Sequence, residues 1–107
     1  MATDKSSDFG LQVEQVFRRI EDCFDALDVG IETVRRGPVL EVEFEDGKKI
    51  VINSQAPMKE IWMAAKVGAF HFRSVDGKWL DTRTSEEFFA MLSRIASTLA
   101  GQAIIVA

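Results

Sequence analysis

The sequence predicts an α+β domain: a two-layer sandwich in which an antiparallel sheet of about five to seven strands carries the N- and C-terminal helices on one face. Three observations predict it. Apolar residues recur at helical spacing near both ends, short alternating segments fill the middle, and two Asp-Gly dipeptides punctuate those segments. A chain of 107 residues builds one hydrophobic core and not two, so residues 1–107 read as a single domain.

The first helix is expected over about residues 8–27. Val13, Val16, Phe17, Ile20, Phe24 and Leu27 recur at spacings of three and four, the mark of one buried face. Glu14, Glu21, Asp22, Asp25 and Asp28 fall on a different, contiguous face. Arg18 interrupts that face within i,i+4 reach of Glu14 and Asp22. An acidic last turn opposes the helix macrodipole by roughly 0.3–1 kcal/mol per charge. Acids placed against the dipole suggest a use other than stability.

Strands are expected at Val29–Arg35 and Val39–Glu45. In VLEVEFE, Leu40, Val42 and Phe44 alternate with Glu41, Glu43 and Glu45, so one face is buried and the other wet. Asp46–Gly47 turns the chain into KKIVIN. A two-residue loop there would pair Phe44 with Lys49. A three-residue loop with Gly47 in the left-handed conformation pairs Val42 with Ile50 and Leu40 with Ile52, setting apolar against apolar, and is preferred.

Further strands are expected at Glu60–Ala65, Ala69–Arg73 and Lys78–Arg83, with a turn at Asp76–Gly77. The second helix is expected to begin at Thr84, with Thr84 and Glu87 as a capping box. Phe88, Leu92, Ile95, Ala96 and Leu99 form its apolar stripe, and Gly101 closes it. The tail QAIIVA either adds a short strand or fills a gap between the helices.

Two helices cover one side of a sheet, so residues of the other parity stand in solvent. Ile61, Met63 and Ala65 are the expected inward set, because burying Trp62 would strand two large apolar residues outside. Phe70 and Phe72 then point inward and His71 and Arg73 outward. Trp62 and His71, with the amides Asn53 and Gln55, border the open face. There the indole is either covered by its neighbours or exposed as an interface anchor. Trp79 is assigned to packing and Cys23 to the flank of the core.

Composition excludes much chemistry. One His and one Cys cannot make a Cys/His zinc site, an iron–sulfur ligand set or a two-His-one-carboxylate iron site. No GxxxxGK[ST] or GxGxxG stretch cradles phosphate, and no nucleophile elbow marks a serine. The chain is therefore expected not to be an enzyme. No apolar run approaches the roughly 20 residues of a membrane span, and MATDKSSDFG lacks the apolar core of a secretory signal. With one cysteine, a reducing, cytoplasmic setting is expected. Residues 1–34 hold eight acids against three bases, whereas the remainder is near balance. That asymmetry argues against nucleic acid and for cations or a basic protein surface.

NSQAPMKEIW, with Asn53, Gln55, Pro57, Ile61 and Trp62, follows the pattern N-x-Q-x-P-x-x-x-[IV]-W. With GPVLEVEFEDGKKIVIN before it, then GAFHF, DGKW and a closing amphipathic helix, nearly the whole chain resembles the frataxin family, in its bacterial, CyaY-type branch. The resemblance implies a frataxin-like sandwich linked to iron–sulfur cluster assembly. It implies an adaptor or regulator that docks on a cysteine desulfurase and an iron–sulfur scaffold protein as a monomer, with iron-induced oligomers as a variant. It places Glu21, Asp22 and Asp25 on an acidic ridge and Asn53, Gln55 and Trp62 on the partner-facing sheet. Iron, as Fe²⁺ or Fe³⁺, is expected to bind weakly and exchangeably through Glu14, Glu21, Asp22, Asp25 and Asp28. Carboxylates give iron no exclusive claim over Mn²⁺, Co²⁺ or Ca²⁺.

Two departures thin the ridge: the loop after the helix is shortened to ALDVG, and one ridge position is Ala26. The other reading is an iron chaperone, store or ferroxidase. A di-iron ferroxidase site built on paired Glu-x-x-His motifs needs more than the single His71.

Overall fold

The computed structural model describes residues 5–27 and 30–107, with side chains from Asp8 onward. The chain runs α1 (Lys5–Asp25), β1 (Glu32–Arg36), β2 (Val39–Glu43), β3 (Lys49–Gln55), β4 (Glu60–Ala65), β5 (Gly68–Val75), β6 (Lys78–Asp81) and α2 (Phe88–Ala100). The six strands form one antiparallel meander in the order β1-β2-β3-β4-β5-β6. The strand expected from Val29 begins at Glu32, Val29 itself lying outside the described residues.

Each hairpin sets the register that decides which residues are buried. Phe44 N–H donates to Lys48 O at 2.8 Å across a three-residue loop in which Gly47 takes φ 90°. Leu40 therefore pairs with Ile52 and Val42 with Ile50, as the apolar matching required. Between β3 and β4 the loop Ala56–Lys59 closes through two successive turn bonds and returns the chain at Lys59, φ 54°. Asn53 then faces Trp62, and Gln55 faces Glu60.

The core fills the space between the inward sheet face and the helices. Leu40, Val42, Ile50, Ile52, Ile61, Met63 and Phe72 from the sheet are fully enclosed, as are Phe17, Ile20, Phe88, Leu92 and Ala96 from the helices. Phe72 meets Phe88 edge-on at 5.0 Å, and Phe9 meets the buried Trp79 at 6.1 Å. The Arg19 guanidinium lies 4.1 Å from the centre of the Phe89 ring and clips α1 to α2. No described helix is long and apolar enough to cross a membrane.

The start of α2 differs from the expected capping box. The helix begins at Phe88, and its cap is Glu87, whose carboxylate accepts from the N–H groups of Phe89 and Ala90 at 2.9 and 3.0 Å. The reason lies at the end of β6. Asp81, buried there, accepts from Arg83 N and Thr84 N, and Ser85 N donates to Asp81 O. Those bonds hold residues 81–85 in a turn, with Ser85 at φ 66°, so the helix cannot start before the chain has straightened. At the other end Gly101 takes φ 70° and returns its N–H to Ser97 O, as expected of a C-terminal glycine.

The tail fills a gap instead of adding a strand. Ile104 and Val106 are buried, and their N–H groups donate to the hydroxyls of Ser97 and Ser93 at 2.8 Å each. Cys23 on α1 donates its thiol to Ile105 O at 3.2 Å, which ties the tail to the first helix as well. Glu87→Ala should cost about 1 kcal/mol, the usual value of a helix cap. Thr84→Ala should stay within about 0.5 kcal/mol, as surface changes do. Thermal or urea unfolding of the two variants checks this, and the reverse order would restore Thr84 as the cap.

Candidate functional site

Two surfaces carry the residues singled out from the sequence. The first is the outer face of α1. Asp22 and Asp25 are exposed, whereas Glu14 and Glu21 are half-buried because they turn toward β1. Arg35 stands on β1 opposite Leu40, hence on the helix side of the sheet, with its guanidinium 5.1 Å from the Phe17 ring centre. From there it grips Glu14 with two bonds of 2.6 and 3.1 Å and lies 3.8 Å from Glu21. Arg18, the partner expected from helical spacing, comes only within 3.8 Å of Glu14 and pairs with no other acid among the described residues.

The acidic face is thus divided. Glu14 and Glu21 are engaged by a cation from the sheet, while Asp22 and Asp25 make no ion pair among the described residues. Asp28, the fifth acid of the expected set, lies outside the described residues. Among those described, no three His, Cys, Asp or Glu side chains gather closely enough to hold a metal ion. Glu14, Glu21, Asp22 and Asp25 of the expected ligand set thus share one helix without converging on a single point in this arrangement. Glu14 is bound to Arg35, and Glu21 lies 3.8 Å from the same guanidinium.

The second surface is the sheet face that neither helix covers. Cross-strand register sets Asn53, Trp62 and His71 in one row and Gln55, Glu60 and Arg73 in the next. Gln55 Nε2 donates to Asn53 Oδ1 at 3.4 Å, and both amides are half-buried. Trp62 stands on this face as its alternation with Ile61 and Met63 demands, but it is not bare. Its ring stacks on His71 with centroids 4.2 Å apart and planes 8° from parallel. Its Nε1–H donates to Glu60 Oε1 at 2.8 Å. Of the two readings open for the indole, partial cover by neighbours describes its surroundings.

The residue that sequence reasoning missed is Glu60. It is 3% exposed, although it opens a strand on the outward face. Arg73 Nη2 donates to its other oxygen at 2.7 Å, and His71 Nδ1 lies 3.8 Å away. The hydrogen bond from Trp62 holds the Glu60 carboxyl below the ordinary glutamate value against the upward push of burial, and Arg73 and His71 add to the lowering. The signal that could have found it is the facing pair of i,i+2 motifs, Glu-x-Trp on one strand and His-x-Arg on the next.

Comparison with known proteins fits this geometry. Residues 3–102 match the frataxin-like domain family. The chain belongs to that family. It is 48% identical over 101 residues to the iron-sulfur cluster assembly protein CyaY of Paraburkholderia phymatum, covering 94% of this chain and 96% of that one. It is 52% identical over 89 residues to the protein of the same name from Cupriavidus metallidurans, covering 83% and 80%. Among solved structures, the frataxin of Psychromonas ingrahamii superposes with a TM-score of 0.89 at 26% identity, covering 95% and 97%. A trimeric yeast frataxin complexed with ferrous iron shares the fold, with a TM-score of 0.69 at 22% identity over 95% of this chain and 90% of that one. The two-layer architecture expected of a frataxin is therefore present, with six strands.

Arg35 makes a pH prediction for this frataxin. Its hydrogen bonds hold the Glu14 carboxyl below the ordinary glutamate value, and Arg18 adds a smaller pull. A depressed carboxyl pKa contributes stability that is present above the unfolded value and lost as pH falls through the folded one. Arg35→Gln should therefore move the Glu14 titration up toward the ordinary glutamate value. Side-chain carboxyl ¹³C shifts followed from neutral to acid pH would show it. An unmoved Glu14 midpoint would contradict the pairing.

Proposed function

We propose that this frataxin acts in iron–sulfur cluster assembly as an adaptor or regulator, not as an enzyme. It docks on the cysteine desulfurase and its scaffold protein through Glu21, Asp22 and Asp25 on one side and Asn53, Gln55 and Trp62 on the other. The observation that carries the reading is the pairing of two kinds of free surface in one small fold. An acidic helix face on which Asp22 and Asp25 have no ion-pair partner among the described residues suits a basic protein surface. A sheet face left uncovered, with a half-buried aromatic at its centre, suits a flat, less charged contact. The names of the 48–52% identical relatives support the process in which it acts.

Iron fits this chain only loosely. Carboxylates are suitable donors for hard cations. Because Arg35 holds Glu14 and its guanidinium lies 3.8 Å from Glu21, the ion meets Asp22 and Asp25 first, three residues apart on exposed helix surface. No described residue encloses it there, so binding is weak, exchangeable and shared with other divalent ions. The docked protein is a monomer in the cytoplasm, and any larger assembly is driven by metal.

Reversing Asp22 and Asp25 to Lys should weaken desulfurase binding by about tenfold or more, the scale of lost charge complementarity. The fold should be unchanged, since both side chains are solvent-exposed. Wild-type binding should also fall with added salt, because exposed charges are screened beyond about 8–10 Å at physiological ionic strength. Calorimetry across a salt series is the test, and a reversed variant that binds normally would remove the helix from the interface.

For the metal, NMR titration with Mn²⁺ or anaerobic Fe²⁺ should broaden the amides around Asp22 and Asp25 first, with affinity no tighter than about micromolar. Arg35→Gln should tighten binding by releasing Glu14 and Glu21. Broadening centred on His71, or an Arg35 variant with weaker binding, would contradict this ligand assignment.

A further inference from the structure

Glu60 is a carboxylate enclosed on the side of the sheet that no helix covers. What encloses it is the docking face itself. Trp62 and His71 are directly cross-strand, as are Glu60 and Arg73, so the four side chains form a two-by-two array. The carboxylate divides its oxygens between the two strands: Oε1 accepts from the indole of β4 and Oε2 from the guanidinium of β5. The imidazole, 3.8 Å from Oε1, is held parallel to the indole by the same arrangement.

We propose that Glu60 is the positioning residue of this face. It fixes the Trp62–His71 stack before any partner arrives. This rests on the docking role proposed for Trp62.

Two physical effects make a fixed stack useful. An indole with a polar N–H needs an acceptor once it is half-buried, and a charged acceptor gives the stronger and more directional bond. Trp62 obtains it from the residue two positions earlier on the same face, so the ring cannot rotate away without taking from Glu60 Oε1 its hydrogen bond. Ordering a side chain in advance spares association the entropy of ordering it at contact. Burial also matters. Glu60 has already exchanged water for Trp62 and Arg73, so a partner that covers the array strips no further water from a carboxylate. Arg73 stays 59% exposed at its side chain and leaves the rim of the array cationic.

The test uses the full chain with Glu60→Met, which removes the acceptor, and Glu60→Gln, which keeps one for the indole. Hydrogen exchange of the Trp62 indole N–H is read by ¹⁵N NMR, and docking on the desulfurase–scaffold complex by calorimetry, at a temperature where thermal unfolding shows every variant folded. Glu60→Met should speed indole exchange and weaken docking, each by about tenfold, the scale of losing a pre-ordered anchor. Glu60→Gln should recover most of both. A Met variant whose indole is released but which docks as the wild type does overturns the inference, as does a loss that Gln fails to repair. Trp62→Ala is measured alongside: loss of docking supports the premise, whereas unchanged docking removes the docking role of Trp62 itself.

Discussion

One-sided cover of the sheet is the constraint on which this structure depends. Both helices pack on the same face, so each strand must send one parity into the core and the other toward solvent. A slip of one residue in the β3–β4 hairpin would bring Trp62 inside and push Ile61 and Met63 out. The loops prevent the slip. Gly47 at φ 90° closes the β2–β3 loop and Lys59 at φ 54° closes the β3–β4 loop, the latter a conformation that a non-glycine residue adopts at some cost. The backbone strain at Lys59 thus sits next to the residues whose placement it secures, Glu60 and Trp62.

Because one face is left open, its polar residues must satisfy one another. Asn53 and Gln55 share a hydrogen bond, and Glu60 gathers Trp62 and Arg73. The acidic helix follows the same logic with a different outcome. Arg35 reaches up from the edge strand and neutralises the inner acids, while Asp22 and Asp25 stay outside its reach. A face that looks uniformly negative in projection therefore has an inner half that is structural and an outer half available to a cation or a basic partner. Arg35 also covers the Phe17 ring, so the same side chain guards the core edge and sets the charge of the surface above it.

Most of the fold was legible because its signals are local. Period-2 alternation in VLEVEFE, the Asp-Gly turns and the three-and-four spacing of both helices each depend on residues within a few positions of one another. The start of α2 was not legible, because Asp81 captures the backbone of Arg83 and Thr84 through a turn that a Thr-x-x-Glu pattern does not reveal. The candidate site was half legible. Alternation placed Asn53, Gln55, Trp62 and His71 on one face, and register then brought them together. Helical spacing gave Arg18 as the partner of the acids, whereas the closer cation, Arg35, comes from another element 21 positions from Glu14. Glu60 stayed hidden for a related reason: part of its cover, Arg73 and His71, comes from the next strand.

The central claim is that both surfaces, the outer acids of α1 and the open sheet face, meet the same partner. Cross-saturation NMR of the isotopically labelled chain bound to the deuterium-free desulfurase–scaffold complex tests it most directly. The account predicts saturation transfer to Asp22, Asp25, Asn53 and the Trp62 indole together, with Met91 and Leu92 in the core untouched. Transfer confined to α2 and the tail, with Trp62 and Asp22 both silent, would contradict it.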